Sequence, residues 1–326
     1  MDNVVIKKRV VGVDVSVERT TYAIVDIRGN IIAHDSFNTL DFPDVNGFIE
    51  QLSEGIIGLA ENNGGYESIR SVGISVPSGN QLTGCIENAP NLPWKGVVPM
   101  AAMLRDRIGL AVALANDAHV IALGENVFGS AHGMEDFVVV SLGHGIGSCF
   151  FSRGYDYLGE YGFSGEVGHT CVVDHGRHCE CGLDGCLETY CAAKGIIRTA
   201  MEMMDESDEP SLMRSYDRLT PKIICQCCEK GDKMAIEVFR RTGKILGLAL
   251  ANYASIVDPE AFIFTGGISK AGHWLLEPAE EEFEKHVYHN IRGKVKFLVS
   301  MLDDRERDVL GASVLAWEIK EYSLFK

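Results

Sequence analysis

The pattern of apolar and polar positions divides the first forty residues into three strands. Arg9–Asp14 is an apolar run, Thr20–Asp26 alternates, and Asn30–Phe37 follows a tight Arg28-Gly29-Asn30 turn. A helical period then runs over Asp44–Asn62, stopped by Asn63-Gly64-Gly65, and Ser71–Ser75 reads as a buried strand. The opening pattern returns later in the chain. Asp136–Leu142 is strongly apolar, Gly143-His144-Gly145-Ile146-Gly147 turns, Ser148–Ser152 runs back as a strand, and Arg153-Gly154 turns again. Such a repeat predicts two related α/β halves facing each other across a cleft, the usual place for a small ligand. The last third is mainly helical. Met234–Val257 is a long helix ended by Asp258-Pro259, Ala261–Thr265 is a short strand closed by Gly266-Gly267, and Asp308–Tyr322 is a final amphipathic helix. The acidic, helix-breaking Met204–Ser211 is expected to be a surface loop.

Composition narrows the function classes. The 326 residues suffice for two domains, and 46% hydrophobic residues supply their cores. A net charge of −16 argues against binding phosphate backbones or an anionic membrane surface. The first residues show no basic segment leading into an apolar run, and no apolar stretch reaches about 18 residues, so neither a secretory signal nor a membrane span is expected. A cytoplasmic location follows by default. The ten cysteines then read as reduced thiols plus one metal site.

That site is the string from His169 to Glu188. His169, Cys179, Cys181 and Cys186 are four ligands suited to tetrahedral Zn²⁺, with Gly182 and Gly185 allowing a tight loop. A closed Cys₃His set leaves no open position, so the metal is expected to be structural. His175 and His178 are rival ligands; Cys171 is a further alternative ligand, but its apolar Cys171-Val172-Val173 stretch reads as a core strand. Glu166 and Glu188 flank the cluster; such carboxylates accept polyol hydroxyls well, or are plain surface charges. Asn116-Asp117 ends the apolar run Gly109–Ala115 and opens a helix, a position that serves either catalysis or simple capping. The Gly143–Gly147 turn lies between two strands, so it is a phosphate cradle or a bare hairpin rather than a dinucleotide fingerprint.

Taken together, these pieces resemble the ROK family (repressors, open reading frames and sugar kinases) on the actin-like, hexokinase-type ATPase fold. The most specific part is Gly165-Glu166-Val167-Gly168-His169 followed by Cys179-Glu180-Cys181-Gly182-Leu183-Asp184-Gly185-Cys186-Leu187-Glu188. Asn91-Leu92-Pro93-Trp94, Asn116-Asp117-Ala118, Leu142–Gly147 and Thr265-Gly266-Gly267 fall around it in family order. The resemblance implies two actin-like (ribonuclease H-like) α/β domains: 1–118 with a C-terminal helix at about 308–326, and 119–307 carrying the zinc loop 169–188. It implies an ATP-dependent glucokinase-like enzyme acting on a hexose, glucose at its 6-hydroxyl first, with Asp117 as the base. Gly79, Asn116, Glu166, His169 and Glu188 would bind the sugar, His169 giving its other nitrogen to zinc. Asp14, Ser16, Gly143, His144 and Gly145 would face the phosphates and Mg²⁺ of ATP, and Gly266 and Gly267 the adenosine. A homodimer or homotetramer is implied, and no DNA-binding winged helix fits ahead of Arg9.

Two departures stand out. Where the family's first phosphate loop reads Asp-x-Gly-Gly-Thr, this chain has Asp14-Val15-Ser16-Val17-Glu18, and His144 replaces a usual Thr. Losing glycine limits backbone approach to a phosphate, and Glu18 adds negative charge there. Arg19 and a protonated His144 are the available compensations. The alternative reading is therefore a sugar-binding sensor of the same fold with weak or no kinase activity.

Overall fold

In the computed structural model, which describes residues 7–320, the chain divides into two compact units. Of the described residues, the first unit takes 7–133, Leu158–Phe163 and 301–320, and the second takes Met134–Tyr157 and Ser164–Ser300.

The first unit is built on a five-stranded mixed sheet. Its strands are β1 (Arg9–Val15), β2 (Arg19–Asp26), β3 (Ile31–Asn38), β4 (Ile69–Ser75) and, further on, β8 (Ala111–Ala115), in the order β3-β2-β1-β4-β8. β1, β2 and β3 pair antiparallel, whereas β4 and β8 join β1 in parallel. A second, three-stranded sheet of β5 (Gly79–Asn80), β6 (Cys85–Glu87) and β7 (Val97–Val98) intervenes and has no clear hydrophobic period in the sequence. Helices α1 (Val45–Glu61) and α2 (Met100–Ile108) share a core with Val11, Val13, Val72 and Ile74 on one face of the large sheet. Asp44 caps α1 by accepting the Gly47 amide, and Gly109, in the left-handed region, ends α2. On the other face, Val10, Ala23 and Val25 meet α9 (Arg307–Glu318). There α9 rides directly on the strands. A Cβ at Gly12 or Gly73 would collide with the Val309 or Ala312 carbonyl, so only glycine permits this approach. Helix α3 (Asp117–Phe128) stays whole in this unit although the boundary expected after residue 118 would cut it. Its Val120 carbonyl lies against Gly311 of α9, and that packing ties it to the first sheet.

The second unit repeats the design. Strands β9 (Phe137–Leu142), β10 (Ile146–Ser152), β11 (Tyr155–Asp156), β12 (Ala261–Thr265) and β13 (Lys296–Val299) form a sheet ordered β11-β10-β9-β12-β13. Counted along the chain, both sheets read third, second, first, fourth, fifth, with the same antiparallel and parallel pairings. The duplication inferred from the sequence is thus a duplication of topology. Helices α4 (Glu188–Cys191), α5 (Ala193–Glu206), α6 (Pro221–Glu229), α7 (Lys233–Val257) and α8 (His273–His286) pack a core around Val138, Val140, Phe262 and Phe264. Asp232 caps α7 through the Met234 and Ala235 amides, and Asp258 ends it in the left-handed region before Pro259.

Three expectations need adjustment. Helix α5 continues to Glu206, so the acidic loop begins only at Ser207. The last helix starts at Arg307 and ends at Glu318; Tyr322 lies outside the described residues. Cys171 is exposed and makes only an isolated bridge with Cys186, because the segment around it follows the loop rather than a sheet.

Candidate functional site

Among the described residues, His169, Cys179, Cys181 and Cys186 bring one ligand atom each within 4.8 Å of one another. The Cys179 sulfur lies 3.7 Å from His169 Nδ1, and the Cys181 and Cys186 sulfurs are 3.7 Å apart. A tetrahedral ion about 2.3 Å from each sulfur would space its ligand atoms about 3.6–3.8 Å apart, so the donor set and its spacing fit Zn²⁺. The rival histidines stay outside. His178 hydrogen-bonds Asp184 Oδ1 at 2.9 Å, and His175 is almost fully exposed beside Asp174. With Nδ1 turned to the cluster, His169 has Nε2 left for another partner.

The fold fixes this loop from several sides. His169 ends a single 3-10 turn, Val167–His169. Tyr253 of α7 holds that turn: its hydroxyl bonds Thr170 Oγ1 and donates to the Val167 carbonyl at 3.3 Å. Arg177 reaches back to the carbonyls of Thr189 and Gly195, at 2.9 and 3.0 Å, and lies over the Tyr190 ring. The spacing of Cys and His along the chain gave no sign of Tyr253 or Arg177, since Tyr253 acts over 83 and 86 positions and Arg177 over 12 and 18.

Glu188 connects the cluster to the glycine turn. Its Oε2 accepts the Ile146 amide at 2.9 Å, and a Cβ on Gly145 would sit 2.5 Å from that oxygen. The Ala193 amide also donates to the Gly143 carbonyl at 3.0 Å. Gly266, at φ +85°, packs on the Leu142 carbonyl, and the Ile268 amide donates to that carbonyl at 3.1 Å. Gly143, Gly145, Gly266 and Gly267 therefore gather at the carboxyl ends of β9 and β12, where α/β sheets bind ligands. His144 and Glu166 are exposed nearby in the chain.

The first unit assembles the other residues at the matching strand ends. Asn116 caps α3 through the Ala118 amide at 2.9 Å, which Asp117 Oδ1 also accepts at 2.8 Å. Gly79 lies close to the Ala115 carbonyl, where a Cβ would be 2.7 Å from its oxygen, which places Gly79 beside Asn116 and Asp117. Asp14 ends β1. Burial, then repulsion by Asp308 and Asp117, drives its carboxyl well above the usual range, and Arg307 partly offsets this. Burial likewise raises Asp308, which sits in the first turn of α9 and in the sequence reads only as a helix start. The Ser75 hydroxyl, in register with Asp14, is fully buried and has no hydrogen-bond partner among the described residues. Carboxylate and hydroxyl oxygens of this kind suit Mg²⁺. Ser16 does not present its hydroxyl as a phosphate donor here: it donates to the Arg19 carbonyl at 2.7 Å and accepts the Arg19 amide at 3.2 Å, closing the turn that lacks glycine.

Two mixed sheets of the same topology, with glycine turns at the carboxyl ends of β9 and β12 and a Cys₃His loop in the second unit, define a class. Residues 10–319 match the ROK family, and the chain belongs to that family. It is 33% identical to a glucokinase of Halalkalibacterium halodurans over 255 residues, 77% of this chain and 76% of that one. It is 30% identical to a glucokinase of Thermotoga maritima over 316 residues, 96% and 98% of the two chains. The xylose repressor of Bacillus subtilis is 26% identical over 303 residues, 90% of this chain and 73% of the repressor. Among solved structures, a ROK family glucokinase from Streptomyces griseus in complex with glucose and AMPPNP superposes with a TM-score of 0.77 at 28% identity, covering 95% of this chain and all of that one.

Proposed function

We propose that this protein is an ATP-dependent hexose kinase that phosphorylates glucose at its 6-hydroxyl. The observation that carries this reading is the likeness to glucokinases along nearly the whole chain. The residues that the family resemblance implies for sugar binding (Gly79, Asn116, Asp117, Glu166, His169, Glu188) are all in the sequence and agree with it. Asp117 would take the proton of the attacking hydroxyl. Asn116 and Gly79 would line the sugar with it, and Glu166, His169 Nε2 and Glu188 would accept or donate to the remaining hydroxyls, each charged bond worth roughly 1.5–3 kcal/mol. Asp14 would hold Mg·ATP, whose ion neutralises the charge developing on the transferred phosphoryl group. Gly143, His144 and Gly145 would approach the phosphates, and Gly266 and Gly267 the adenosine. Zinc held by His169, Cys179, Cys181 and Cys186 would be structural, fixing the imidazole and Glu188 in one geometry.

A second reading, a sugar sensor with little turnover, is favoured by one observation: Ser16, at a position where the family has glycine, closes its own turn, and Glu18 stands exposed where the family has threonine. A coupled ADP-release assay over a panel of hexoses with Mg·ATP separates the two. Turnover on one hexose that disappears in Asp117→Ala supports the kinase. Hexose binding by calorimetry with no turnover on any of them overturns it in favour of the sensor.

A further inference from the structure

We propose that Cys171 and Cys186 are a peroxide-sensitive thiol pair whose oxidation to a disulfide withdraws Cys186 from the metal. The consequence for the metal rests on the Cys₃His reading above; the disulfide itself does not. Cys171 is a fourth thiol in the loop, exposed, outside the tetrad, and without a task in sugar binding. It stands directly opposite Cys186 in an isolated antiparallel bridge. The bridge is flanked by the Leu187 amide donating to the Thr170 carbonyl at 3.0 Å and the Val172 amide donating to the Gly185 carbonyl at 2.8 Å. With hydrogen bonds on both neighbours and none between the two cysteines, this is a non-hydrogen-bonded pair, for which Cα atoms lie about 4.5 Å apart. That spacing falls inside the roughly 4.4–6.8 Å range that a disulfide spans without moving the backbone. The Cys171 sulfur lies along the same strip: a Cβ on Gly185, next to Cys186, would be 3.1 Å from it. Its present partner is only the Val173 carbonyl at 3.5 Å, so rotation about its Cα–Cβ bond is open to it.

The chemistry balances with a hydroperoxide as the oxidant. The exposed Cys171 thiolate attacks the peroxide, the O–O bond breaks, and a sulfenic acid forms as hydroxide leaves. The Cys186 sulfur then attacks the Cys171 sulfur, the S–S bond forms and a second hydroxide leaves, so that Cys186 would no longer be available to hold the metal. Two thiols are oxidised by two electrons and one hydrogen peroxide becomes two waters. Loss of one of four ligands opens the tetrad. The freed segment runs straight into Leu187 and Glu188, so oxidation also loosens the carboxylate that holds the Ile146 amide.

The test uses the full chain as isolated, with its metal content measured first. Treated with hydrogen peroxide near stoichiometry, the protein is digested for disulfide mapping while released metal is read with a chromogenic chelator. A Cys171–Cys186 peptide, with metal release slowed at least tenfold in Cys171→Ser, is the expected result. A Cys181–Cys186 link instead (those sulfurs are 3.7 Å apart) or equally fast release from Cys171→Ser overturns the proposal. Protein isolated without metal would refute the metal reading alone, and the mapped peptide would still decide the thiol pair. The melting temperature of reduced Cys171→Ser confirms that the exposed substitution leaves the fold intact.

Discussion

Gly145→Ala tests whether Glu188 works from the place where the glycine turn holds it. The added Cβ would lie 2.5 Å from Glu188 Oε2, whereas a carbon and an oxygen in contact sit about 3.3–3.6 Å apart. The carboxylate must retreat by about 1 Å, which takes its 2.9 Å bond with the Ile146 amide beyond hydrogen-bond length. Because the obstacle is the far end of a flexible side chain, the backbone need not move. The stability cost is then that of one buried amide left unpaired, about 1–3 kcal/mol, or a few degrees of melting temperature. Sugar binding loses a charged hydrogen bond worth about 1.5–3 kcal/mol, which weakens glucose affinity about 10- to 100-fold. Gly143→Ala is the control, since its Cβ would meet nothing nearer than the Gly145 carbonyl at 4.0 Å. Calorimetric titration with glucose reads both variants. Wild-type affinity in a folded Gly145→Ala protein would refute the argument, and so would an equal loss in Gly143→Ala.

Other expectations follow from the same geometry. Asp14 carries a raised pKa, so the folded state binds its proton more tightly than the unfolded chain does, and stability falls as pH climbs above the ordinary carboxylate range. Asp14→Asn should therefore melt higher than wild type at pH 7.5, lose that advantage near pH 4, and have no kinase activity; lower stability at pH 7.5 would count against the buried, repelled carboxylate. Stripping metal with a strong chelator should lower both melting temperature and glucose affinity, and zinc should restore them; an apo protein with unchanged binding would speak against a tetrad that positions His169. Gly12→Ala, placed against the Val309 carbonyl, should cost at least about 1–3 kcal/mol in denaturant unfolding, because a backbone atom rather than a side chain must yield.

Much of this architecture was legible because its signals are local. Asp44 and Asp258 punctuate helices within a turn of their own position, and the Cys-x-Cys-x₄-Cys spacing places three ligands in one short loop. The repeated strand pattern carried the duplication, since the same hairpin opening was written twice. What escaped reading depends on partners far along the chain. Asp308 matters because α9 returns to Gly12 and Gly73 some 230–300 positions away, a contact that only the paired glycines hint at. Tyr253 holds the turn that ends at His169 from a distant helix, Arg177 ties the loop to the Thr189 and Gly195 carbonyls, and Cys171 lies on the surface because its bridge to Cys186 is isolated rather than part of a sheet. The β5–β7 sheet is made of strands of two or three residues, too short to show a period.

The most direct measurement follows the transferred group itself. Wild-type protein, Mg·ATP labelled in the γ-phosphate and glucose should yield labelled glucose 6-phosphate, and Asp117→Ala should yield none while still binding glucose by calorimetry. Glucose bound by the wild type with no label transferred to it, or transfer undiminished in Asp117→Ala, would contradict the account.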